Sequence, residues 1–145
     1  MSTEENKTLV RNAIEEAWNA GSLDAVEKYY APEFTFYQEG GGVVHGVESF
    51  KEWVTTIHTA FPDVKYVINA MYAEDDKVAT RYSITGTHTG DFKGLPPTNK
   101  PVDLTGHIIH RIKDGKKVEA WGFWDTLGLM QQLGLAPRMG PPAKN

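Results

Sequence analysis

The chain contains no cysteine, which removes disulfides, thiolate nucleophiles and cysteine zinc sites together. Its five histidines are scattered without HxxxH or HxH spacing, so a metal site is not expected. GxSxG, GxGxxG and P-loop patterns are absent, which argues against the usual serine hydrolase and against nucleotide binding. Positive charge is in short supply, with 15 Lys and Arg against 19 Asp and Glu and a net charge of −4; a nucleic-acid partner would normally call for a basic face. No apolar run approaches the roughly 18 residues of a membrane span. The first residues, MSTEENK, are acidic where a signal peptide would be basic and then apolar. The expectation is a cytoplasmic protein that needs no cofactor and binds neither nucleic acid nor membrane.

What is present fits one domain. The 145 residues are 40% hydrophobic and 23% charged, enough to bury a core without staples. The domain is expected over residues 1–135, with 136–145 (APRMGPPAKN) as a loose tail. Ser2 and Glu5 fit a capping box, and Leu9, Val10, Ala13, Ile14, Ala17 and Trp18 then recur at helical spacing. Ser22 caps a second helix, with Leu23, Val26 and Tyr30 inward and Pro32 as its stop. EFTFYQ reads as a short strand, Gly40-Gly41-Gly42 as a flexible turn, and Phe50, Trp53, Val54, Ile57 and Phe61 as the stripe of a third helix. From Val64 the period becomes two. Asp75-Asp76 turns one hairpin, and a Gly/Pro-rich loop, GDFKGLPPTNKP, leads into the last.

That last hairpin, Val102 to Trp124 with Asp114-Gly115 at its turn, organises the rest. Leu104, Ile108, His110 and Ile112 share one face of its first arm; Val118, Ala120, Gly122 and Trp124 share one face of the second. Large apolar groups on both faces place it centrally, covered on both sides. The predicted order is ααβαββββα. This is an α+β fold, with three N-terminal helices on a curved, mostly antiparallel sheet and a short C-terminal helix.

Five segments, taken in order, carry a resemblance: LVRNAIEEAWNAGSLDAVEKYYAPEF, HGVESFKEWV, AFPDV, GTHTGDFKGLPPTNKPVDLTGHIIHRIKDGK and VEAWGFWDTLGLMQQLG. From about Asn6 to Gly134 the chain resembles the SnoaL-like polyketide cyclase family, within the nuclear transport factor 2-like superfamily. The resemblance implies a cone-shaped fold with an apolar pocket, often as a dimer. It implies an intramolecular aldol cyclisation without metal or organic cofactor, using an aspartate on the last strand and a histidine on the strand before. By the flanking residues, that aspartate position falls at Gly122 and the histidine position at or beside Ile108. Neither catalytic side chain carries over. Asp125 resembles a second acidic position of the family.

The candidate site follows from both lines of reasoning. His110, two residues from Ile108, is either a neutral base beside the pocket or a histidine near a strand end. Asp125 is either an acid/base or the N-cap of the last helix. Tyr37 and Tyr82 could present phenols to a carbonyl or enolate. Trp53, Ile108, Gly122 and Trp124 complete the expected lining, with spare room where Gly122 has no side chain. One functional expectation is a cofactor-free acid/base enzyme acting on a small apolar carbonyl compound. A non-catalytic binding protein of the same fold is its rival, and a polar group of shifted pKa in the pocket discriminates between them. Trp121 and Phe123, on the opposite face, are expected to form a homodimer interface.

Overall fold

The computed structural model describes residues 1–39 and 41–138. Gly40 and most of the expected tail, 139–145, lie outside the described residues. Residues 136–138 continue past the last helix without regular structure.

Helix α1 (Thr3–Ala13) opens on the expected capping box, in which Ser2 Oγ accepts from the Glu5 amide and Glu5 from the Ser2 amide. The single helix predicted to run on through Trp18 instead widens into a π-helical segment, Ile14–Asn19. A stripe of apolar residues does not distinguish the two, since the change adds one residue per turn without changing polarity. Its last residue, Asn19, clamps a strand: its amide donates to Tyr66 O at 2.9 Å and its carbonyl oxygen accepts from Tyr66 N at 2.7 Å. Helix α2 (Leu23–Tyr29) is capped by Ser22 and ends earlier than expected. Leu23 is exposed, and Tyr30 already belongs to strand β1 (Tyr30–Gln38).

A three-residue strand β2 (Val43–His45) follows the glycines, where a turn alone was expected. It is short and largely exposed, so it leaves little signal in the sequence. Helix α3 (Val47–Ala60) buries Phe50, Val54, Ile57 and Ala60, as its stripe predicts. Strands β3 (Lys65–Glu74), β4 (Lys77–Thr87), β5 (Pro101–Lys113) and β6 (Lys116–Trp124) lead to helix α4 (Thr126–Gln132). The two hairpin turns place Asp75 and Asp114-Gly115 at positive φ, the conformation that tight turns demand.

The six strands form one sheet in the order β2-β1-β6-β5-β4-β3. All neighbours are antiparallel except β1 and β6, so the fold is α+β with a mostly antiparallel sheet. Helix α1 lies against β3 and β4, and α3 against β1. The β5–β6 hairpin is central, as expected, but helices cover only one of its faces. On the other, Ile109 is 45% and Phe123 59% exposed. No helix among the described residues is long and apolar enough to cross a membrane.

Candidate active site

Between the helices and the inner sheet face lie two adjoining cavities. The outer, about 50 Å³, is lined by Trp53, Tyr82, Leu104, Ile108 and Trp124 among others. The inner, about 30 Å³, is lined by Ile14, Tyr30, Phe34, Phe50, His110 and Lys117 among others. Trp18, Phe36, Tyr66 and Ile108 border both. Each is roomy enough for water, which needs about 10–15 Å³.

His110 enters from β5, where it faces Ala120 on one side and Val78 on the other. It is 1% exposed. Its Nε2 lies 3.2 Å from Thr80 Oγ1, which in turn lies 3.3 Å from Ile108 O. A carbonyl only accepts, so the Thr80 hydroxyl donates to Ile108 and accepts from Nε2–H. The remaining nitrogen, Nδ1, is then a bare lone pair, buried and without a protein partner. Burial holds the imidazole well below its usual pKa, and the Lys117 charge pushes in the same direction. His110 is therefore neutral at pH 7.

Lys117 is the residue that sequence reasoning missed. By strict alternation from Ala120 it belongs on the outer face, with Val118 inward. A β-bulge changes the count: Arg111 pairs with Glu119, but Ile112 pairs with Lys117. Lys117 thereby turns inward beside its parallel neighbour Tyr30, while Val118 is buried but takes no part in the central apolar cluster. The ammonium is 3% exposed and donates to Tyr30 Oη at 3.1 Å. It also lies 4.3 Å from the Tyr30 ring centroid and 5.8 Å from that of Phe34. It forms no ion pair with a carboxylate among the described residues. Desolvation lowers its pKa to about 7. A lysine directly after the Asp-Gly-Lys turn is weak warning of this, because exposed lysines are usual there.

Tyr30, Tyr66 and Tyr82 supply phenols to the same interior. Burial raises the pKa of all three above the usual value, so they remain donors at neutral pH. Tyr82 lies across Gly106, the residue opposite it on β5, where an added Cβ would come within 2.3 Å of the phenol oxygen. Its ring stacks on Tyr66 at 4.6 Å, and its hydroxyl donates to Phe123 O at 3.4 Å. Tyr66 Oη and Trp124 Nε1 are buried without partners.

Of the expected site residues, Trp53, Tyr82, Ile108 and Trp124 line the outer cavity. Tyr37, Asp125 and Gly122 are placed differently. Tyr37 points to the outer face, where it stacks on Trp121 at 5.9 Å, because Phe34 and Phe36 take the inward positions of β1. Asp125 is exposed and caps α4, accepting from Gly128 N at 2.8 Å. Its carboxylate folds over Gly128 so closely that a Cβ there would sit 2.1 Å from Oδ2. Gly122 leaves no spare room. Ile108 Cγ1 and Phe36 Cε1 would stand 2.8 and 3.0 Å from its added Cβ, so neighbouring side chains already occupy the space. His88, noted in the sequence as lying in a turn-like stretch, is fully buried and accepts at Nδ1 from Thr98 N, fastening the loop before β5. Among the described residues no cluster of His, Asp and Glu could hold a metal.

A six-stranded α+β chain with a buried apolar interior carrying a few convergent polar groups defines a class of small-molecule folds. Its solved neighbours have the nuclear transport factor 2-like fold. AclR, a proposed hydroxylase from Streptomyces galilaeus, is 31% identical with a TM-score of 0.83, covering 96% of this chain and 91% of its own. A proposed SnoaL-like polyketide cyclase from Jannaschia sp. CCS1 is 26% identical with a TM-score of 0.85, covering 93% and 95%. Among characterised relatives, the aklanonic acid methyl ester cyclase DauD of Streptomyces sp. (strain C5) is 32% identical over 134 residues, 87% of this chain and 80% of that one. The nogalonic acid methyl ester cyclase of Streptomyces nogalater is 27% identical over 125 residues, 81% and 90%. The profile of the SnoaL-like polyketide cyclase family matches residues 8–133. The chain belongs to that family.

Proposed function

We propose that the protein is a cofactor-free enzyme of the cyclase type, moving a proton on an apolar carbonyl compound held in the two cavities. The observation that carries this reading is His110 Nδ1, a buried, unpartnered basic nitrogen at the inner end of an apolar interior. A base abstracts the proton α to the carbonyl, and the oxygen of the resulting enolate needs donors. Tyr30 and Tyr66 present phenol donors to the same cavity, which Lys117 also lines. Isomerisation or ring closure then depends on which carbon of the ligand receives the enolate's electrons. The position of the family's aspartate, Gly122, is filled by packing, so the base here is a different group on a different strand. The half-buried rings Trp53 and Trp124 meet edge to face at 5.9 Å beside the outer cavity.

Exchange of the methyl protons of acetophenone in D₂O, followed by NMR, tests the reading. The wild-type protein should accelerate exchange, and His110→Gln, which keeps a polar group near Thr80, should lower that rate by about 10²-fold or more. Binding of acetophenone without any acceleration would favour the rival, a non-catalytic binding protein of the same fold.

The outer sheet face supports a homodimer. One cross-strand row reads Tyr72, Ala79, Ile109, Trp121, Tyr37 and Val43. It crosses the whole sheet, and Tyr72 and Val43 on it are 71% and 61% exposed. A second copy covering this row would remove these apolar groups from water.

A further inference from the structure

Lys117 is not needed as a base once His110 fills that role, and its surroundings suit another chemistry. A buried ammonium ordinarily has a carboxylate partner, because an uncompensated charge in an apolar site is costly. Lys117 instead meets a phenol oxygen and two aromatic faces. That setting favours the neutral amine, whose nitrogen lone pair is nucleophilic. The bulge that turns it inward aims it at the inner cavity rather than into solid packing. A charge on Lys117 would also disfavour one on His110.

We propose that Lys117 is a carbonyl-reactive site, forming an imine with an apolar aldehyde or ketone bound in the inner cavity. The Lys117 Nζ lone pair attacks the carbonyl carbon, and a C–N bond forms as the C=O π pair moves onto oxygen. That oxygen then leaves as water, carrying away both amine hydrogens, and a C=N bond remains. No oxidant, reductant or metal enters the balance. Tyr30 Oη, already hydrogen-bonded to Nζ, is placed to pass a proton between nitrogen and oxygen. The site shares its cavity with the proposed proton-transfer function, but imine formation does not require His110 to act as a base.

The test is reductive trapping. The full chain is incubated at pH 7 with butanal and cyanoborohydride, which reduces an imine to a stable butyl amine, and modified peptides are located by mass spectrometry. An ordinary lysine with a pKa near 10.4 is about 0.04% free amine at pH 7. Lys117 should therefore be butylated at least 10-fold faster than any surface lysine, and acetophenone in excess should protect it. In denaturant that preference should vanish. Lys117→Met should lose the fast label, whereas His110→Gln should keep it while losing acceleration of acetophenone exchange, which separates this proposal from the role of His110. Labelling confined to surface lysines, or fast labelling that survives in Lys117→Met, would overturn the assignment. So would a folded protein in which Lys117 stays unmodified.

Discussion

The two faces of the β5–β6 hairpin are built from adjacent residues and treat polarity in opposite ways. Inward, His110 and Lys117 are polar groups sealed from water. Outward, Ile109 and Phe123 are apolar groups left in it. Ordinary folding economics would exchange them. Each inversion has a cost in the isolated chain, which the proposed ligand on one side and the proposed second copy on the other would offset. Stability measured on the free protein should therefore improve when the inner face is made conventional and change little when the outer face is.

The largest effect is expected from Lys117→Met. The folded pKa, about 7, lies below the ordinary lysine value of 10.5, so the unfolded chain binds the proton that the folded chain refuses. The resulting penalty is absent above the unfolded pKa, grows as pH falls toward about 7, and levels off below it. Removing the amine should stabilise the protein by about 3–5 kcal/mol at pH 7, from a shift of several units at about 1.4 kcal/mol each. Denaturant unfolding between pH 7 and 9.5, where the buried tyrosines stay protonated, checks this: wild type should gain stability as pH rises, and the variant should stay level. Parallel curves would mean that Lys117 reaches water.

Gly122→Ala comes next. Its methyl group meets Ile108 and Phe36 at distances that require both to move, and overpacking of this kind costs about 1–3 kcal/mol. A neutral result in thermal melts would show room on the inner face at that position, contrary to the packing described.

The smallest stability change belongs to Ile109→Lys on the outer face, within about 0.5 kcal/mol for the monomer. Its effect should appear in assembly instead. Sedimentation of wild type is expected to report a dimer at tens of micromolar and of the variant a monomer; a monomeric wild type would end the proposal for this face.

Much of the inner face was legible because strand parity is a strong signal. His110, Ile108, Tyr82 and Trp124 fall on it by counting in twos, and the Asp75 and Asp114-Gly115 turns set where the counting starts. Parity also says that Tyr37 points away once Phe34 and Phe36 are inward. Counting fails at a bulge, which carries no mark in KKVEAW, and with it failed the assignments of Lys117 and Val118. The capping alternative for Asp125 was equally visible, in the TLGLMQQ that follows. The π-helical segment and strand β2 had no counterpart in periodicity, one because its composition is that of any helix and the other because three exposed residues make no pattern. The family resemblance identified the fold and pointed to Gly122, but the group that can move a proton had to be found from burial and hydrogen bonding.

The Asn19 clamp on Tyr66 has a bearing on the life of the chain in a crowded solution. Strand β3 is one of the two margins of the sheet, and an open margin recruits strands from other molecules into aggregates. The side-chain amide occupies the outward N–H and C=O of one residue just as a foreign strand would. A bulge between Ile68 and Ala70 disturbs the same strand a few residues on, and the opposite margin is β2, only three residues long. Growth of the sheet edge to edge is thereby obstructed on both sides, which leaves the broad apolar face for the proposed pairing, an arrangement that would close as a pair and stop.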